Sequence, residues 1–296
     1  MYDAVIIGGG PAGLSAALVL GRCRRRVLLC DSGEYRNAAA QGLHAFITRD
    51  GIPPAELRRR GREEIARYGV QAREGKVDDV GRDADRFTVT LDGEQAESRT
   101  LLIATGVVDR VPEIAGIEDL YGRSVFHCPY CDGWEARDQP LAAYGTGAKG
   151  LKLALSLLRW SDDVVLCTDG PAGLRAPQRA RLTRHAVTIH EGRVARLEGD
   201  DGVLHRIAFH DAEPLDRRYM FFKTGHDQRS DLAARLGCEF DDKGAVKTNS
   251  LKGTKMQGLY VLGDASQDMQ LAIVAAAEGV KAGFAANEYL HHRETA

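Results

Sequence analysis

Apolar residues in this chain come in short blocks, and most blocks run straight into glycine. Residues 3–7 form such a block ahead of Gly8-Gly9-Gly10. An uninterrupted apolar run of that length predicts a strand buried on both faces, as in a parallel sheet. Residues 14–20, rich in Ala and Leu, predict a helix, and residues 26–30 a second strand. The same sequence of strand, glycines, helix and strand recurs at 141–144, 145–150, 151–159 and 164–167.

Between these two blocks, 53–68 predicts a charged helix, 87–91 with Asp92-Gly93 a small hairpin, and 100–104 another buried strand. Further on, 203–210 and 219–222 predict strands, 230–237 a short helix, 258–262 a buried strand, and about 270–289 a long helix. Alternating strands and helices predict an α/β fold. Its expected form is two Rossmann-like, three-layer ββα domains of FAD/NAD(P)-binding type, the second inserted into the first. Val111-Pro112 to Gly116 marks the crossing, and 240–247, turning at Lys243-Gly244, hands the chain back. The expected boundaries are 1–112 with 246–296 for the first domain and 113–245 for the second.

The glycines locate the chemistry. Gly8-Gly9-Gly10-Pro11-Ala12-Gly13 has glycine at all three fingerprint positions, between a strand and a helix. Such a turn lets backbone amides approach a pyrophosphate. Asp31 ends the second strand twenty-three residues after Gly8, where an acid can accept hydrogen bonds from a ribose diol. The second fingerprint, Gly145, Gly147 and Gly150, is followed by Asp169 twenty-four residues on. That acid favours a free 2′-hydroxyl and hence NADH, while Arg175 and Arg179 nearby favour NADPH. Gly106 would let backbone pass close to a cofactor, and Asp264 directly after a strand can bind a ribityl hydroxyl.

Composition narrows the partners. In 296 residues, 40 basic and 42 acidic side chains give a formal charge of −2, which offers no electrostatic reason to expect nucleic acid or a membrane surface. The longest apolar stretch, 271–286, is interrupted by Glu278 and Lys281. No signal-peptide pattern opens the chain, and six cysteines are too few for a secreted disulfide scaffold. A cytoplasmic protein is expected.

Two of those cysteines stand together in His127-Cys128-Pro129-Tyr130-Cys131-Asp132-Gly133-Trp134-Glu135. A Cys-x-x-Cys pair can cycle between dithiol and disulfide with little backbone movement. Asp132 puts a carboxyl group where it can carry a proton to a leaving thiolate. Half a zinc site, with His127 as third ligand, is the competing reading. Cys23, Cys30, Cys167 and Cys238 are scattered singly and supply no second ligand pair, so no metal is expected. His127 could lower the Cys128 pKa or simply be hydrogen-bonded. Tyr130 and Trp134 are expected as packing or gating groups.

Residues 8–13, 104–106, 128–132 and 258–271 together resemble the low-molecular-weight thioredoxin reductase family of FAD-dependent pyridine nucleotide-disulfide oxidoreductases. The longer-spaced Cys pair and C-terminal dimerisation domain of the glutathione-reductase type are absent. The resemblance implies FAD contacts at Gly8, Gly10, Pro11, Ala12, Gly13, Asp31, Asn37, Gly106, Asp264 and Gln270, with the Leu271 amide near the flavin. It implies Cys131 as the flavin-proximal sulfur, Cys128 as the sulfur that exchanges with substrate, and Asp132 as acid/base. His44 falls in a segment that by resemblance approaches the flavin and could act as a base.

The implied partners are a thioredoxin-like protein or a small dithiol or disulfide, and the implied assembly is a homodimer. Three departures leave the nicotinamide open. The arginine cluster that holds the 2′-phosphate is missing after Asp169, Gly150 stands where Ala is usual, and Met269 replaces a common Arg. These fit the branch of the fold that oxidises small dithiols with oxygen, such as the enzymes closing disulfides in gliotoxin and holomycin, or a reductase fed by another donor. A non-enzymatic flavin-bound sensor is the third reading, and Asp132 argues against it because a sensor needs no fast proton shuttle.

Overall fold

A computed structural model describes residues 1–266 and 269–296; Gln267 and Asp268, inside the 258–271 stretch, lie outside the described residues. The chain divides into two units. One comprises Met1–Ala38, Ala45–Val108 and His226–Ala296, the other Ala39–His44 and Asp109–Gly225.

In the first unit, Tyr2–Ile7 runs parallel to Val27–Asp31 on one side and to Glu94–Ile103 on the other. Gln71–Glu74 extends the sheet beyond Val27–Asp31. The hairpin expected at 87–91 forms between Arg86–Leu91 and Glu94–Ile103, with Asp92 and Gly93 both at positive φ, as a tight hairpin turn needs. The strand expected at 100–104 is the far end of that same ten-residue strand. Its start pairs antiparallel in the hairpin, and its end pairs parallel with Leu259–Val261. With Val77–Asp83 outermost, the described residues make a seven-stranded sheet.

Alternate residues of the first strand feed two cores. Ala4 and Ile6 pack with Ala16, Leu20, Ala282 and Ala286 of the first and last helices, Pro11–Arg22 and Ala272–Thr295. Val5 and Ile7 pack on the other face with Phe87, Val89, Leu232 and Leu236. Burial on both faces explains the unbroken apolar run, each large aliphatic side chain contributing roughly 1.5–3 kcal/mol. Leu232, Ala233 and Leu236 belong to this core, so the chain rejoins the first unit at His226 rather than at the expected 246.

The second unit holds a five-stranded parallel sheet, ordered Thr188–His190, Val164–Cys167, Leu141–Tyr144, Tyr219–Phe222, Val125–Phe126. The helix Gly147–Leu157 packs Leu153, Ala154 and Leu157 into the core against Leu141, Ala143 and Leu166. The expected strand at 203–210 is present as Val203–Phe209, in a separate antiparallel sheet with Val194–Asp200 and Leu215–Asp216, neither of them expected. Those partners carry a mixed polar pattern, Val-Ala-Arg-Leu-Glu-Gly-Asp in the longer one, which hides a half-buried strand. No described helix is long and apolar enough to cross a membrane.

Candidate functional site

Gly8 turns the chain out of the first strand at φ +111°, and a Cβ there would fall 2.3 Å from the Ala104 carbonyl oxygen. One at Gly13 would fall 1.9 Å from the Gly8 oxygen. These two glycines are therefore required by close strand–helix approach. Gly10 has open space around its Cβ direction, and the helix it begins has Pro11 in its first turn and no side-chain cap. The amides of Ala12 and Gly13 are thus left for an anionic ligand at a helix N-terminus.

Asp31 follows at the end of the second strand, almost buried. Its Oδ2 accepts from Tyr35 Oη and from Arg62 Nη2, both at 2.5 Å. Among the described residues Oδ1 accepts only a long 3.4 Å bond from the Gly33 amide, so it keeps capacity for a ribose hydroxyl. A Cβ on Gly9 would meet Asp31 Oδ2 at 2.0 Å, which makes that glycine a condition of the carboxylate's placement. Arg58 stacks its guanidinium 3.7 Å above the Tyr35 ring and donates to Asn37 Oδ1 at 3.1 Å. Burial, then the bond to Asp31, pushes the Tyr35 phenol up. Tyr35, Arg58 and Arg62 were not anticipated from the sequence. The charged helix that bears both arginines reads as a solvated face, and its pairing with Asp31 is a long-range contact.

Elsewhere in this unit, Gly106 sits at φ +70°. Asp264 lies in a short 3-10 turn, Gly263–Ser266, and accepts from Arg36 Nη1 at 2.8 Å. Gln270 Nε2 is 3.0 Å from His226 Nε2. Leu271 precedes the last helix without a side-chain cap, so the first amides of that helix are also left for a ligand. These features fit FAD: a glycine cradle, an open helix start, and two acids after strand ends.

In the second unit Cys128 and Cys131 form a disulfide, with Cα atoms 5.3 Å apart. Cys128 begins the single turn Pro129–Asp132, and the Cys131 amide donates to Cys128 Sγ at 3.2 Å. That bond favours the Cys128 thiolate once the ring is open. Asp132, half-buried next to the pair, has its carboxyl pushed up to about 7, by burial first and then by the charge of Glu135. A carboxyl with that pKa can both give and take a proton near neutrality. His44 Nε2 lies 3.6 Å from Glu135 Oε1.

His127 Nδ1 is 3.0 Å from Tyr121 Oη, which donates to Asp109 at 3.1 Å, so the imidazole is anchored. Gly133 leaves no room for a side chain, because a Cβ would meet the Trp160 ring at 2.6 Å. Tyr130 makes an edge contact with Trp160, yet Tyr130 and Trp134 are both about two-thirds exposed, at 68% and 65%. They form surface beside the sulfurs.

The second fingerprint has the expected turn. Gly145 and Gly147 take positive φ, and a Cβ on Gly150 would lie 2.4 Å from the Gly145 oxygen, so the Ala usual in the family does not fit here. Asp169, however, is engaged within the protein. Its Oδ1 accepts the Val194 amide at 2.8 Å and its Oδ2 accepts from Tyr144 Oη at 3.0 Å. Arg179 pairs with Glu191 at 2.6 Å. Asp169 and Arg179, two of the three residues placed to read a 2′-hydroxyl or 2′-phosphate, thus each have a protein partner, although Asp169 stays exposed.

Comparison with known proteins agrees with this geometry. Thioredoxin reductase tcpT of Claviceps purpurea is 34% identical over 278 residues, covering 89% of this chain and 86% of its own. Thioredoxin reductase of Mycolicibacterium smegmatis is 29% identical over 308 residues, covering 99% and 98%. The crystal structure of HlmI superposes with a TM-score of 0.95 at 38% identity, covering 99% of this chain and 93% of that one. The model of the pyridine nucleotide-disulphide oxidoreductase family matches residues 2–279. The chain belongs to that family, as a thioredoxin reductase-like, FAD-dependent disulfide oxidoreductase.

Proposed function

We propose that Cys128 and Cys131 exchange with a substrate disulfide or dithiol, with Asp132 as the proton carrier. The observation that carries this is the closed Cys128–Cys131 ring beside a half-buried carboxyl whose pKa stands near 7. In the reducing direction the Cys128 thiolate attacks a substrate disulfide, forming a mixed disulfide and releasing one substrate sulfur. The Cys131 sulfur then attacks Cys128 Sγ, which closes the ring and expels the second substrate sulfur. Asp132 protonates the departing thiolate. The bond from the Cys131 amide supports Cys128 as the attacking sulfur.

FAD, when bound, supplies the two-electron chemistry that opens or closes this ring. The residues that would hold it are Gly8, Gly10, Pro11, Ala12, Gly13, Asp31, Asn37, Gly106, Asp264, Gln270 and Leu271. Its pyrophosphate would meet the uncapped amides after Gly10, and its ribose Oδ1 of Asp31. The first domain is accordingly read as the FAD-binding domain and the second as the carrier of the redox pair. The substrate is read as a thioredoxin-like protein or a small disulfide. The protein is read as a cytoplasmic homodimer that needs neither nucleic acid nor membrane. Four free cysteines suit a reducing compartment, and exposed Val280 and Phe284, one helical turn apart, suit a self-contact.

A second reading, oxidation of a small dithiol with oxygen as acceptor, is favoured by one observation: Asp169 and Arg179 are occupied by Tyr144, the Val194 amide and Glu191. Anaerobic stopped-flow of the yellow protein decides the direction. Fast bleaching of the flavin by NADPH or NADH supports a nicotinamide-fed reductase. Bleaching by a small dithiol but by neither nucleotide supports the oxidase. Bleaching by none of them, nor by any other electron donor, removes the enzymatic reading.

A further inference from the structure

The strand ladder of the first unit ends where the Leu262 amide donates to the Ile103 carbonyl. The next amide belongs to Gly263, which is buried and takes φ +72° to start the turn bearing Asp264. It donates at 2.9 Å to Oε2 of Glu278, on the last helix. The other oxygen of that carboxylate lies 2.5 Å from Lys252 Nζ, with side chains only 8% and 11% exposed. A buried ion pair returns little net stability after desolvation, so what this one supplies is a fixed acceptor at this position. Without it, the Gly263 amide would be a buried orphan at the base of the Asp264 turn.

We infer that Glu278, its rotamer fixed by Lys252, is a positioning residue of the cofactor site, holding the Gly263 amide so that Asp264 stands where the ligand needs it. This rests on the reading of Asp264 as a cofactor contact.

The test compares apoproteins titrated with FAD, alongside their urea midpoints and the visible circular dichroism of the bound flavin. In E278Q, Lys252 draws the carboxamide oxygen to itself and turns the amide –NH2 toward the Gly263 N–H, so the acceptor is lost. In E278Q/K252M the carboxamide oxygen is free to accept it again. The expected result is FAD affinity about tenfold weaker in E278Q, with an altered flavin dichroism band, both restored by adding K252M. E278L/K252M, which lacks charge and acceptor alike, is expected to keep a urea midpoint close to that of E278Q/K252M yet bind FAD as weakly as E278Q. Equal FAD affinity and equal dichroism across the three variants overturn the inference, as does loss of affinity that follows the urea midpoint alone. D264A separates the two levels. If D264A binds FAD like the wild type, the reading of Asp264 fails and takes the inference with it. If D264A weakens binding and E278Q does not, the inference alone fails.

Discussion

In the proposed reaction, Asp132 concentrates the proton chemistry in one titration. Burial raises its carboxyl from 3.8 to about 7, and Glu135 adds to the shift. Below about 7 the group is an acid able to protonate a leaving sulfur; above it, the group is a base. The ratio of wild-type to D132N disulfide-opening rates cancels the ionisation of the substrate thiol. We expect that ratio to reach about a hundredfold at low pH and to fall as pH rises through about 7. E135Q should move the inflection to lower pH, and a pH-independent ratio would remove Asp132 from the reaction. Linkage gives a second check. A carboxyl with a raised native pKa contributes stability below its unfolded value that is lost as pH rises through about 7. D132N should therefore be more stable than wild type at pH 8, by roughly 2 kcal/mol after solvent screening, and the gain should shrink toward pH 5. Urea midpoints at the two pH values measure it.

Among the elements, the first and last helices decide whether the cofactor cradle exists. A Cβ on Gly279 would lie 2.1 Å from the Ala12 carbonyl oxygen, and one on Gly283 would lie 3.1 Å from that of Ala16. The helices touch backbone to backbone there, and the first turn of the fingerprint helix is one of the surfaces in contact. G279A is expected to destabilise by about 1–3 kcal/mol through overpacking and to weaken FAD binding, since relief of the clash must move Ala12. G10A, with open space at its Cβ, should leave the urea midpoint nearly unchanged. Equal midpoints for the two variants would mean that the helix contact does not constrain the cradle. The glycines of the fingerprint were legible because their roles are local. Gly279 was not, because its requirement comes from a helix some 260 residues earlier in the chain.

For the whole molecule, the prediction concerns assembly. Val280 and Phe284 lie on the last helix with exposures of 49% and 55%, in a stretch whose other face is buried against the first helix. If this stripe is the homodimer contact, the double change V280K/F284E should convert the species seen by sedimentation velocity from dimer to monomer, with the flavin spectrum retained. A dimer that persists would place the contact elsewhere. The direction of the reaction also belongs to this scale. With Asp169 engaged by Tyr144 and the Val194 amide, flavin bleaching by NADPH or NADH is expected to be slower than by a small dithiol in the anaerobic stopped-flow experiment.

The sequence alone determined the features that are contiguous: the two glycine fingerprints, the Cys128–Cys131 pair with Asp132, and the buried strands that lead into them. Each depends on backbone geometry or on chemistry within a few residues, so order and spacing suffice. The tertiary structure decided what depends on residues brought together from afar. It filled Oδ2 of Asp31 with Tyr35 and Arg62, engaged the exposed Asp169 with Tyr144 and the Val194 amide, and paired Val194–Asp200 with Val203–Phe209. It also moved the return of the chain to His226 and buried Lys252 against Glu278. A carboxylate's availability to a ligand is set by which cations, hydroxyls and amides the fold packs against it, and no spacing along the chain records that competition.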